Sequence, residues 1–166
     1  MKTVITGRVR LLGDNVNTDI NCSNKYMAGR DDTYIAQHAF EQVAPGFASI
    51  LKAGDIIVAG RNFGINSSRE QAVRVIRMMG VAAVVARSFG RQFYRNAINN
   101  GLPLIECDTG GIAGGDEITI DLAAGRVTQA QGTVQHVKPL PHEILAVLSS
   151  GGLIPFLEQH PDWKLV

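Results

Sequence analysis

Apolar and polar positions along the chain alternate between two rhythms. Short unbroken apolar runs recur at Asp55 to Gly60, Val81 to Ala86 and Leu102 to Cys107. Each has the length of a strand buried on both faces. Helical spacing separates them. Ala72, Val73, Val75, Ile76 and Met79 precede Gly80, and a second helical stretch runs from Ser88 to Asn100 before Gly101. Glycine after the last periodic residue is the usual helix stop. This strand–helix–strand–helix–strand series predicts an α/β fold with a mostly parallel central sheet and covering helices.

The ends follow the strand rhythm more closely. Thr3 to Leu12 is a β-branched run interrupted by Gly7. Glu117 to Leu122 and Arg126 to Gln131 flank Ala124-Gly125 and read as a hairpin. A further helix is predicted over Thr33 to Gln42, with Ile35, Ala36, Ala39 and Phe40 on one face and Asp31 or Asp32 as cap. Pro45-Gly46 ends it. His142 to Ser149 gives a short amphipathic helix, and Pro155-Phe156-Leu157 leads into a tail. Gly13 to Asp19 and Asn21 to Asp32 read as loops. With 166 residues and no linker, the expectation is one domain over residues 1–166.

Composition narrows the function classes. A net charge of +1 gives no general attraction to nucleic acid or anionic membrane. No run reaches the about 18 to 20 apolar residues needed to span a bilayer. The N-terminus lacks a signal-peptide pattern, so a cytoplasmic protein is expected. Cys22 and Cys107 are far apart, and His38, His136, His142 and His160 form no metal-spaced cluster. No metal site is expected on this chain, and it lacks the thiolates an iron–sulfur cluster requires.

Candidate chemistry concentrates where strands give way to helices. Asn62-Phe63-Gly64-Ile65-Asn66-Ser67-Ser68-Arg69-Glu70 puts two hydroxyls and an arginine at a helix start. Unpaired N–H groups there favour an anion, and arginine can grip a carboxylate in a two-pronged fork. Equally open is the plain alternative that Ser68 caps the helix and Glu70 completes the cap. Ser88 to Asn100 carries Arg91, Arg95 and three asparagines at the same predicted sheet edge, where ligands of open α/β sheets bind. Arg91 and Arg95 could also be an exposed i, i+4 face. The Asp14-Asn15-Val16-Asn17-Thr18-Asp19 segment reads first as a turn whose side chains bond their own backbone.

Taken in order, these segments resemble the small subunits of isopropylmalate dehydratases and homoaconitases, relatives of the aconitase swivel domain. That family carries Gly-Asp-Asn-Ile-Asn-Thr-Asp, then Asn-Phe-Gly-Cys-Gly-Ser-Ser-Arg-Glu-His-Ala, then Ser-Phe-Ala-Arg-Ile-Phe-Tyr-Arg-Asn-Ala and Gly-Leu-Pro. The chain has Gly13 to Asp19, Asn62 to Ala72, Ser88 to Ala97 and Gly101 to Pro103 in the same order. The resemblance implies an aconitase swivel-like fold and a hydro-lyase that removes and re-adds water on a malate-type 2-hydroxy acid. It implies Ser67 as the base that takes the carbon-bound proton and Arg69 as the carboxylate anchor. Ser68 would help hold the charge, and Asp19, with Thr18, would act in support. A cysteine-rich large subunit would carry a [4Fe–4S] cluster.

Departures from the pattern bear on the substrate. Ile65 and Asn66 replace Cys-Gly, Gln71 replaces histidine, and Gly90 and Gln92 replace alanine and isoleucine. Asparagine best tolerates the positive φ a glycine would supply, so the turn at Asn66 should survive. Specificity in the family goes with the loop after a Tyr-Leu pair, here Tyr26-Met27, so Ala28, Gly29 and Arg30 are the expected side-group contacts. Ala28 suits an apolar branch, because an unpaired carboxylate beside it would be costly to desolvate. Isopropylmalate or a similar alkylmalate such as dimethylmalate is therefore expected, with a tricarboxylate as runner-up. The rival class is a non-catalytic module that binds an anion at the Ser67 to Glu70 helix start.

Overall fold

A computed structural model describes residues 3–18 and 30–162. Seven strands form one mixed sheet: β1 (Val4–Leu11), β2 (Ile56–Ala59), β3 (Ala83–Ala86), β4 (Leu104–Glu106), β5 (Glu117–Asp121), β6 (Arg126–Thr128) and β7 (Val134–His136), in the order β4-β3-β2-β1-β5-β6-β7. The pairings β1–β2, β2–β3 and β3–β4 are parallel, and β1–β5, β5–β6 and β6–β7 are antiparallel. β1 thus joins the three central strands that periodicity marked out. The helices are α1 (Asp32–Gln37), α2 (Phe47–Ile50), α3 (Glu70–Met78), α4 (Arg91–Asn99), α5 (His142–Ser149) and α6 (Leu153–Gln159).

The chain steps from β1 to β4 in one direction across the sheet. Right-handed crossovers then put the intervening helices on one face. Every residue of β2 and β3 is buried, and alternate side chains serve two cores. Ile57, Ala59, Val84 and Ala86 pack under α1, α3 and α4 with Ile35, Val73, Ile76 and Phe93. Ile56, Val58, Ala83 and Val85 face the other way, where the sheet curls and they meet Val9, Ile105, Ile118, Ile120 and Val127. That two-sided burial is why these strands read as solid apolar runs rather than alternating ones. A smaller cluster of Ile98, Val147, Leu148 and Phe156 joins α4 to α5 and α6.

Three elements depart from the sequence reading. The first helix stops at Gln37 rather than Gln42. Phe40 adopts φ 63°, and the chain closes tight turns through His38 N–H to Ile35 O and Ala44 N–H to Phe40 O. Left-handed backbone at a bulky residue costs about 1–3 kcal/mol. It delivers the Phe40 ring, fully buried, against Phe47 at 5.2 Å and Phe63 at 6.4 Å. Burying such a ring contributes about 1.5–3 kcal/mol, so packing wins over continued helical spacing. The predicted strand ending at Gln131 stops at Thr128, and β7 pairs with β6 beyond the turn. The predicted tail at Pro155 is α6, which accepts the proline because it sits in the first turn, where an N–H would have no helical partner.

α1 is held to α3 through one carboxylate. Asp31 caps α1 by accepting from Tyr34 N–H at 2.8 Å. Asp32 accepts from Gln71 Nε2 at 2.8 Å and from the Arg74 guanidinium. These two donors, Gln71 first, hold the Asp32 carboxyl below its ordinary value of 3.8. A depressed folded value contributes stability that is complete above the ordinary value and is lost as pH falls through the folded one. Thermal unfolding followed by circular dichroism should therefore show Asp32→Asn lowering Tm at neutral pH. The gap to wild type should shrink on acidification below the ordinary carboxyl range; a gap that stays constant with pH would exclude this ion pair as its cause.

Candidate active site

β1, β2, β3 and β4 run parallel, so their carboxyl ends deliver residues 12–18, 60–69, 87–90 and 107–110 to one edge. The first two segments are laced together. Arg61 N–H donates to Asp14 Oδ1 at 2.6 Å, Asn15 N–H to Arg61 O at 2.7 Å, and Asn62 Nδ2 to Asn15 Oδ1 at 2.8 Å. Asp14 and Asn15 therefore bond the neighbouring loop, not their own backbone as a simple turn would. The approach is so close that a Cβ on Gly60 would lie 1.8 Å from Asp14 Oδ1. Gly64 N–H donates to Val16 O at 2.8 Å. On the other flank, Phe63 N–H donates to Ser88 O at 3.0 Å, Gly90 N–H to Phe63 O at 2.8 Å, and Asn62 N–H to Ser88 Oγ at 2.9 Å.

Residues 62–67 form a tight reversal. Asn62 and Asn66 hold φ 59° and 58° on either side of Gly64 at 76°. Asparagine at 66 thus takes the conformation expected of it. Gly90 seals the reversal from beside, since a Cβ there would come within 2.4 Å of Gly64 O. The side chains that leave this turn point to unlike surroundings. Ser67 is 2% exposed, and among the described residues its Oγ has no hydrogen-bond partner. Ser68 is exposed, and its carbonyl accepts from Asn96 Nδ2 at 3.3 Å. Arg69 is half-buried in extended conformation and is itself the N-cap of α3, with no side-chain cap bond. The capping reading of Ser68 is therefore corrected: the helix begins one residue too late for it.

Thr18 has the same anomaly as Ser67. It is fully buried, and among the described residues Oγ1 has no partner. A buried hydroxyl without a partner costs about 1–3 kcal/mol, and buried polar groups are nearly always satisfied. Here two stand on adjoining segments, those that the Gly64–Val16 bond ties together. They lie by an uncapped helix start whose free N–H groups carry partial positive charge, with Arg69 at the join. Such a place favours an oxygen anion.

The other predicted residues divide. Asp19, Ala28 and Gly29 lie outside the described residues. Arg30 is exposed, its guanidinium 4.8 Å from the centre of the Tyr34 ring. Arg91 and Arg95 are not brought to Ser67; they line a separate hollow with Glu106 and Lys138. Asn96 and Ser88, which position the turn, carried no signal of their own beyond the density of polar residues in that stretch. Cys107 is partly buried, and its thiol is pushed up to about 11, first by burial and then by the charge of Asp108. It is a neutral thiol near pH 7. Among the described residues no three His, Cys, Asp or Glu side chains gather as a metal site. These residues do not fit a resident iron–sulfur cluster.

The pattern of the Aconitase C-terminal domain matches residues 4–109. The chain is 42% identical to 3-isopropylmalate dehydratase small subunit 2 of Archaeoglobus fulgidus over 97% of its own length and 99% of that protein's. It is 44% identical to the methanogen homoaconitase small subunit of Methanothermobacter thermautotrophicus, over 93% and 91%. The chain belongs to the aconitase family. Its place is among the dehydratase small subunits, which are halves of heteromeric hydro-lyases. The crystal structure of 3-isopropylmalate dehydratase LeuD from Methanocaldococcus jannaschii superposes with TM-score 0.88 at 38% identity, covering 95% of each chain. No helix among the described residues is long and apolar enough to cross a membrane.

The two orphaned hydroxyls of this aconitase-family fold have a stability signature. Ser67→Ala and Thr18→Val each remove an unsatisfied polar group without removing a hydrogen bond. Each should raise the unfolding free energy of the isolated chain by about 1 kcal/mol, measured by urea denaturation. A loss of similar size would mean that the hydroxyls are satisfied and merely structural.

Proposed function

We propose that this chain supplies the proton-handling and carboxylate-binding half of a two-subunit dehydratase that isomerises 3-isopropylmalate and 2-isopropylmalate. The observation that supports this reading most directly is the partnerless Ser67 hydroxyl, buried at an uncapped helix start next to Arg69. In the proposal Ser67 Oγ, as an alkoxide, takes the proton from the substrate carbon next to a carboxylate. Free N–H groups at the start of α3 and the Ser68 hydroxyl stabilise the negative charge before and during transfer. Arg69 grips the adjacent carboxylate in a fork and fixes the carbon near Ser67. Asn66 keeps the left-handed turn that aims both side chains, and Asp19 acts in support.

Loss of hydroxide from carbon needs a Lewis acid, and the residues of this chain do not make one. A [4Fe–4S] cluster on a cysteine-rich large subunit would supply that acid in the assembled enzyme. The alkyl branch of the substrate would lie against Ala28 and Gly29. Arg30 supports a second reading, a homoaconitate-type tricarboxylate, because a cation stands at the end of the same loop. Its engagement with Tyr34 favours the alkylmalate, since releasing it would forfeit a cation–π contact of about 0.5–1 kcal/mol.

The test is reconstitution with the large subunit and assay on isopropylmalate, dimethylmalate and homoaconitate. Ser67→Ala should lower kcat by about 10²–10⁴-fold. Arg69→Lys, which keeps the charge but loses the fork, should raise KM about tenfold or more. Full turnover by Ser67→Ala would remove that residue from the chemistry. Tight binding of an alkylmalate by the isolated chain, without any activity on reconstitution, would favour an anion-binding module instead.

A further inference from the structure

Arg91 and Arg95 belong to a place of their own. Between β4, the outermost strand on its side, and residues 137–141 lies a cavity of about 240 Å³. Leu104, Ile120, Leu122, Val137, Leu140 and Ile144 give it apolar walls. A second hollow of about 370 Å³ adjoins it and is lined by Arg91, Arg95, Lys138, Glu106, Tyr94 and Phe89. Tyr94, Glu106 and Lys138 line both. The apolar cavity thus opens through a charged mouth.

That mouth has three cations against one carboxylate. Among the described residues, Arg10, Arg74, Arg87 and Arg126 each pair with an aspartate, whereas Arg91, Arg95 and Lys138 enter no ion pair. Arg91 and Arg95 stand four apart on α4, a like-charge spacing that costs about 0.2–0.5 kcal/mol. They also sit in the first two turns, where the helix dipole disfavours cations, and the first turn of α4 holds no acidic residue. Burial, then the charge of Glu106, raises the Tyr94 hydroxyl above its ordinary value, so it stays a protonated donor. The hollow is separate from the Ser67 turn. Asn96, which reaches the Ser68 carbonyl, is rotated about 100° from Arg95 around the helix.

We propose that this paired cavity binds a small amphipathic anion, with a short alkyl group in the apolar chamber and a carboxylate or phosphate head on Arg91, Arg95 and Lys138. The chamber is smaller than the roughly 300–1,000 Å³ of drug-sized sites, which fits a branched chain of about four to six carbons. The head exchanges water for cations that form no ion pair among the described residues, and the alkyl group covers the half-buried side chains of Val137, Leu140 and Ile144.

Titration of the full chain with 4-methylpentanoate and with isobutyl phosphate, followed by amide chemical shifts and calorimetry, tests this and distinguishes the two heads. Acetate and inorganic phosphate supply a head without an alkyl group, and 4-methylpentanamide the alkyl group without charge. At least one amphipathic anion should shift amides of residues 91–95 and 137–141 and bind about tenfold or more tightly than any control. Arg91→Gln with Arg95→Gln, both exposed and expected to fold, should lose about tenfold of that affinity. Absence of shifts at those amides, binding no tighter than the controls, or undiminished affinity in the double variant would overturn the proposal. Neither arginine belongs to the Ser67 turn, so the outcome is independent of the dehydratase reading.

Discussion

Phe63 is pinned from three directions, and the geometry of the site descends from that. Its N–H and C=O are both taken by the segment after β3, which makes a one-residue parallel bridge to Phe89 beyond the end of the sheet. Its ring is fully buried between Phe40 and Phe93, the latter edge-on at 5.3 Å. A residue held by backbone and ring together cannot slide. The reversal that follows starts from a fixed point, which leaves Ser67 buried and Arg69 half-buried at the start of α3. The ring's burial, about 1.5–3 kcal/mol, and the two backbone bonds sustain a turn that by itself is unfavourable, with three left-handed positions, 62, 64 and 66, among five residues.

Stability and chemistry pull apart at this turn. Two buried hydroxyls without partners, an uncapped helix and a string of positive φ angles each cost free energy. The sheet can carry them because β2 and β3 are buried on both faces, and such strands contribute most to a core. Polar strain gathers at the carboxyl edge, where loops tolerate change without disturbing the strands. The opposite edge is ordinary by comparison: Asp55, nearly buried, is satisfied by Arg10 Nε at 2.6 Å and Lys52 N–H at 2.9 Å.

The order of the central strands and helices was legible because two-sided burial writes solid apolar runs, and glycines mark where helices stop. His142–Ser149 was read to the residue. The first helix was overextended because Ile35, Ala39 and Phe40 keep helical spacing even though the chain turns left-handed at Phe40; all three are buried, so spacing could not tell helix from turn. β7 carries little sequence signal, because Val134-Gln135-His136 is three residues long with one apolar side chain; pairing with β6 holds it in the sheet. At the site, the residue types were readable, and so was the need for a positive φ at Asn66.

By itself the amino-acid sequence determined the α/β alternation, the turn chemistry between β2 and α3, and the lack of thiolates for a metal cluster. These are local matters: periodicity, backbone preference and composition act over a few residues. Only the tertiary structure decided that Ser67 is buried while Ser68 is exposed, that Arg69 rather than Ser68 occupies the N-cap position of α3 without a side-chain cap bond, and that Thr18 shares the condition of Ser67. It also decided that Arg91 and Arg95 line a hollow with Glu106 and Lys138. Those outcomes depend on which distant segments press against a side chain, and burial at that range is set by packing of the whole sheet.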